Sequence, residues 1–184
     1  MVDKVVLPGG VAVTVTAAEP SDLPLIAGLF QFYIYDFSEM EPPGSTNFEL
    51  GADGRFEPYP GLDDYWKLDS FHPLLIRVDG HPAGFALVNT HSHRDGGPVA
   101  RNMGEFFVAR KHRRAGVATR AVAEVLRLYP GSWEIAVVER NLAAKSFWPR
   151  AIAAAPGVRD LIRVEGDGEH WRGPIWCFQA AAQD

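Results

Sequence analysis

Cys177 is the only cysteine in a chain of 184 residues, so neither an intrachain disulfide nor a cysteine-based zinc site can be built. Its neighbours Ile175, Trp176 and Phe178 place the thiol on a strand, as a packing residue rather than a nucleophile. No apolar run reaches membrane-spanning length, and Met1 to Pro8 lacks the long apolar core of a signal peptide. A cytoplasmic location with no membrane partner is the expectation. Basic excess is missing too: the formal net charge is −5, whereas nucleic-acid binding calls for a positive surface. Also absent are internal repeats, low-complexity linkers, a Walker phosphate loop and the three-glycine dinucleotide fingerprint.

What remains reads as one domain spanning residues 1–184. Hydrophobic content of 47% and charged content of 22% are ordinary for a globular chain, and this length buries a substantial core. Val11 to Thr16 alternates as a strand. Ser21 or Asp22 caps a helix that carries Pro24 in its first turn and turns Ile26, Leu29, Phe30, Tyr33 and Phe37 inward. Glu41-Pro42-Pro43-Gly44 ends it. Ser45 to Ser70, rich in glycine, proline, aspartate and aromatics, forms a long excursion with one short helix around Asp63 to Leu68, and irregular stretches of this length tend to be functional or mobile. Leu74–Val78 and Ala83–Val88 form a hairpin through Asp79-Gly80. His91 to Arg101 is a polar loop, and Asp160–Val164 and Trp171–Gln179 are antiparallel strands. The order predicts an α/β fold, a twisted mixed sheet flanked by helices.

The most informative stretch is Val108 to Thr119. Gly104-Glu105-Phe106-Phe107-Val108 reads as a buried strand, and Val117, Ala121, Val125, Leu126 and Tyr129 recur as one face of a helix. The turn between them is basic, with Gly116 where the helix opens. A helix start presents unpaired amides and the positive end of the macrodipole, which suits a pyrophosphate. The plainer reading is an exposed turn whose glycine only eases the bend.

Arg113-Arg114-Ala115-Gly116-Val117-Ala118 fits Arg/Gln-x-x-Gly-x-Gly/Ala, and so resembles the acyl-CoA pyrophosphate loop of the GNAT superfamily of N-acetyltransferases. Downstream, Trp133 to Val138 reads as a strand. Asn141-Leu142-Ala143-Ala144-Lys145-Ser146-Phe147-Trp148 then resembles the family's later motif, Asn-x-x-Ala-x-x-Phe/Leu-Tyr/Trp. The resemblance covers residues 73 to 155 well. It implies that acetyl-CoA binds where two central parallel strands splay apart, here those ending at Val108 and Val138. It implies pantetheine contacts from the backbone of Phe106 and Val108 and from Asn141, further cofactor contacts from Phe107, Phe147 and Trp148, and diphosphate contacts from Arg113, Arg114, Ala115, Gly116, Val117, Ala118 and Thr119. The acetyl group would pass to a primary amine by direct attack in a ternary complex. Glu105 is the nearest carboxylate for general-base work, although strand alternation sets it on the face opposite Gly104, Phe106 and Val108 unless a bulge intervenes. Where many members carry a tyrosine acid this chain has Trp148, whose indole N–H is not acidic at neutral pH, which leaves water, Tyr33 or Tyr35 as the acid.

Tyr33 and Asp36, in the aromatic and acidic run Phe32 to Glu39, are candidates to meet a small-molecule amine; inward aromatics and solvated acids are the simpler account. Tyr59, Tyr65 and Trp66 either line the same cleft or fill a satellite core. His91-Ser92-His93 lacks a clear third ligand, so no metal is expected. A protein N-terminus or lysine as acceptor, and a non-catalytic acyl-CoA-binding module, stay open as alternatives. Exposed terminal strands leave a homodimer open as well.

Overall fold

The computed structural model describes residues 5–6, 10–94 and 98–182. Eight strands form one sheet in the order β1-β2-β3-β4-β5-β6-β8-β7. They are β1 (Val5–Val6), β2 (Ala12–Ala17), β3 (His72–Val78), β4 (His81–His91), β5 (Pro98–Val108), β6 (Gly131–Ala136), β7 (Val158–Glu165) and β8 (Pro174–Ala180). Three helices accompany them: α1 (Leu23–Ser38), α2 (Val117–Leu128) and α3 (Leu142–Ala154). All neighbouring strands run antiparallel except β5 and β6, which are parallel.

Strand alternation divides the apolar side chains between two faces. On one face Val13, Ile76, Val88, Met103, Trp133 and Phe178 pack with Val122 and Val125 of α2 and Ile152 of α3. On the other, Leu75, Phe85, Leu87 and Phe107 pack with Ile26 and Phe30 of α1, and with Leu62 and Tyr65 from a 3₁₀ turn at Leu62–Trp66. The long excursion is thus held against α1. Gln31 clips its backbone at Phe56, accepting from the amide at 2.9 Å and donating to the carbonyl at 3.3 Å, and Trp66 donates its indole N–H to the Ala18 carbonyl at 2.9 Å.

Most expected elements occur, with shifted bounds. The helix after Ser21 begins at Leu23, beyond a 3₁₀ turn at Pro20–Asp22 whose Asp22 carboxylate accepts from the Glu19 amide at 2.9 Å. The stretch 91–101, expected as loop, is strand up to His91 and again from Pro98, while Asp95, Gly96 and Gly97 lie outside the described residues. β6 stops at Ala136 rather than Val138, and the last strand starts at Pro174 rather than Trp171. Among the described residues no helix is long and apolar enough to cross a membrane.

Two irregularities shape the centre of the sheet. Parallel pairing of β5 with β6 is confined to Arg101 with Trp133 and Asn102 with Glu134. Against β4, Val88 pairs with Met103 but Leu87 with Glu105, so Gly104 is an extra residue in β5. This bulge re-aims the chain: Met103 joins the α2/α3 face, whereas the Glu105 side chain turns to α1. Glycine is needed there because a Cβ would lie 2.5 Å from Asn89 Nδ2 and 2.9 Å from the Tyr65 hydroxyl. We expect Gly104→Ala to destabilise the fold by about 1–3 kcal/mol through this overpacking. Thermal denaturation checks it; a melting temperature equal to the parent's contradicts the reading.

Candidate active site

Past Asn102, β5 runs on without a partner on its β6 side. The Ala109 amide bonds the Ala83 carbonyl beside β4 at 2.8 Å. By alternation the main-chain groups of Phe106 and Val108 then point into the gap. Buried polar backbone groups need partners, so this gap suits a ligand that carries amides of its own.

The Glu105 carboxylate stands beside the gap in an aromatic setting. Tyr33 of α1 donates its hydroxyl to Oε2, and Tyr59 of the excursion donates to Oε1 at 2.8 Å. Tyr59 stacks on Phe30 with centroids 4.5 Å apart, Phe30 stacks on Phe85 at 4.5 Å, and Tyr33 meets Phe85 and Phe107 edge-on. No cation pairs with this carboxylate among the described residues. Burial therefore raises the Glu105 pKa above its ordinary value, while the two phenol donors pull the other way. Burial, then the Glu105 charge, pushes both phenols upward, so they stay protonated donors. Behind them Asn89 donates to the Tyr65 hydroxyl at 2.8 Å and accepts from Asn102 at 2.9 Å, and the buried Asn102 Oδ1 has no partner.

The loop after β5 makes one 3₁₀ turn at Arg110–His112, then reverses through two left-handed residues, Arg114 (φ 64°) and Gly116 (φ 80°), into α2. Arg114 is strained there; Gly116 has no Cβ to strain. Val117 is buried under the first turn, while Ala115, Gly116 and Thr119 are exposed. Among the described residues, the amides from Arg114 to Thr119 donate to no protein acceptor. Arg113 does not point with them: its guanidinium pairs with Asp36 of α1, and its Nε donates to the Val108 carbonyl at 2.7 Å.

Asn141 is the N-cap of α3, its Oδ1 accepting from the Ala144 amide at 2.9 Å. Phe147 and Trp148 lean on Phe106 across the gap's far side, with centroids 6.3 and 5.3 Å away. Trp148 is only 6% exposed and bears no acidic proton.

Known proteins share this fold. The profile of the Acetyltransferase (GNAT) family matches residues 34–152. The chain belongs to the GNAT acetyltransferase family. Solved structures agree on the fold. The GNAT domain of S. lividans PAT superposes with TM-score 0.62 at 14% identity, over 96% of this chain and 95% of that one. An acetyltransferase from Thermus thermophilus gives 0.60 at 16% identity, over 92% and 97%. Spermidine N-acetyltransferase from Vibrio cholerae, in complex with CoA and spermine, gives 0.53 at 13% identity, over 90% and 93%. No curated protein matches the chain in sequence.

In this acetyltransferase, the structure brings Tyr33 and Glu105 together, as well as Phe106, Phe147 and Trp148. It sets Phe107 on the α1 face, beneath Arg113. It draws Asp36 away from the carboxylate and onto Arg110 and Arg113. Sequence reasoning did not find the bond from Tyr59 to Glu105, which spans 46 residues and crosses an excursion with no periodicity. Nor did it find the chain from Tyr65 through Asn89 to Asn102. His91 stacks edge-on against Phe71 and His93 lies against Trp171; among the described residues no three histidine, cysteine or acidic side chains converge on a metal position.

A raised carboxyl pKa in the folded state fixes the sign of its effect on stability. The folded chain holds the Glu105 proton more tightly than the unfolded chain, so stability falls as pH rises through the ordinary glutamate range and up to the raised value. Glu105→Gln should therefore gain stability relative to the parent as pH climbs from about 4 to 7. Denaturant melts at several pH values check this; a constant difference removes the argument for a destabilised carboxylate.

Proposed function

We propose that the chain moves the acetyl group of acetyl-CoA onto the primary amine of a small molecule, with Glu105 as the proton acceptor. The observation that carries this reading is the cation-free Glu105 carboxylate, held by two phenols beside the unpaired edge of β5. Acetyl-CoA supplies an activated thioester, and the residues present fit it. Main-chain amides from Arg114 to Thr119, lacking protein acceptors at a helix mouth, suit the diphosphate. Main-chain groups of Phe106 and the Val108 amide suit the pantetheine amides, with Phe147 and Trp148 of α3 packed on Phe106 beside them.

An ammonium must lose its proton before it can attack, and a carboxylate of raised proton affinity, uncompensated by any nearby cation, is suited to take it. Tyr33 and Tyr59 fix both oxygens and leave the remaining lone pairs for the acceptor. The surrounding rings favour a cationic group with an apolar body. Tyr59 reaches the carboxylate from the excursion and stacks on Phe30 beside it, which favours a small acceptor over a polypeptide. Trp148 cannot supply a proton to the leaving thiolate, so water is assigned that part.

Thiol release measured with a panel of small amines and peptides tests the proposal. Turnover with small amines is expected, with kcat in Glu105→Gln reduced about 10²-fold or more near neutral pH and partly recovered at high pH, where the amine is already unprotonated. Tight CoA binding with no thiol release from any amine would identify a binding module instead. Gly116→Asp should abolish CoA binding, since its carboxylate would repel the diphosphate; unchanged affinity would place the anion elsewhere.

A further inference from the structure

We propose that Asp36 is a positioning residue that locks Arg113 onto the end of β5 and so ties the loop before α2 to the helix carrying Tyr33. This rests on the reading of that loop as the diphosphate site and of Glu105 as the proton acceptor.

Asp36 lies in the last turns of α1, with its side chain 19% exposed, and two arginines from the loop converge on it. Arg110 donates to Oδ1 from Nε at 2.9 Å and from Nη2 at 2.7 Å; Arg113 pairs with Oδ2. Arg113 is occupied further. Its Nε takes the Val108 carbonyl at 2.7 Å, and its guanidinium carbon lies 5.5 Å from the Phe107 centroid. A guanidinium engaged by a carboxylate, a carbonyl and a ring is a strut. The adjacent Arg114 enters no ion pair among the described residues and is exposed, so it is the side chain left for an anion.

The strut reaches the reacting end through α1. Tyr33 sits one helical turn before Asp36 and donates to Glu105. A helix turn is stiff, so the Asp36 pair fixes the Tyr33 hydroxyl against the carboxylate. The groups facing Glu105 are Tyr33 from α1 together with Tyr59 and Tyr65 from the excursion, and no charged side chain joins them among the described residues. Loosening α1 therefore removes one of two donors that stabilise the ionised form, and the Glu105 titration moves upward.

The test compares the parent with Asp36→Asn, Arg113→Gln, their double variant and Asp36→Glu. Calorimetry gives CoA affinity, steady-state assays give kcat, and carboxyl NMR gives the Glu105 titration even in a variant without turnover. Asp36→Asn and Arg113→Gln should alter CoA affinity to the same degree, within about threefold of each other, and each should lower kcat about tenfold. Both should raise the Glu105 titration. The double variant should be no worse than the poorer single one, as for two residues acting as one unit, and Asp36→Glu should recover most activity. If Arg113→Gln weakens CoA about tenfold while Asp36→Asn does not, Arg113 is a phosphate ligand and the proposal falls. It falls equally if the two losses multiply or the titration stays put. Gly116→Asp in the same calorimetry separates the parent reading: normal CoA binding there refutes the diphosphate site and leaves the strut judged by the NMR titration alone.

Discussion

The central constraint is that β5 and β6 stay together for two residue pairs and then part. A parallel pair in the middle of a sheet normally saturates its main-chain groups along its whole length. Here the chain gives up that saturation where Phe106 and Val108 face the gap, and one of the exposed carbonyls is already answered by Arg113. The opening is held from both sides. Phe106 anchors α3 through Phe147 and Trp148 on one face, and Phe107 lies under α1 on the other. Neither helix can close over the strands without disrupting a packed aromatic contact.

The bulge at Gly104 then decides what the opening can do. Without the extra residue, alternation would put Met103 and the acidic side chain on the same face. With it, Met103 enters the α2/α3 core while Glu105 meets Tyr33 and Tyr59. A single unpaired residue thus moves the carboxylate from the α2/α3 face to the aromatic face under α1. Phenols are well chosen as its companions: they orient both oxygens but carry no charge, so the proton affinity gained by burial is only partly offset.

Much of this was legible from local sequence. Asp79-Gly80 specified its hairpin, and both residues adopt the left-handed turn conformation expected of them. The stripe from Val117 to Leu126 fixed α2 and its buried face, and Gly116 marked where it starts. Asn141 could be read as opening a helix, because a capping residue acts within three positions of itself. Less accessible were features set by distant partners. Asn89 and Tyr65 crowd Gly104, the extra residue opposite Leu87, and Asp36 finds arginines more than seventy positions away. Strand ends were misjudged for a related reason: His91, Pro98 and Arg101 show no apolar alternation, yet His91 pairs with Pro98 and Arg101 with Trp133 of a neighbouring strand.

The stretch between α1 and β3 has almost no regular structure, and side-chain tethers such as Gln31 at Phe56 and Trp66 at Ala18 help hold it in place. One of the two phenols on the carboxylate belongs to it. Substitutions in this stretch can therefore change the proton affinity of the Glu105 carboxylate, and the company it keeps, while the sheet beneath remains unaltered. The scaffold and its chemical setting can thus diverge at separate rates.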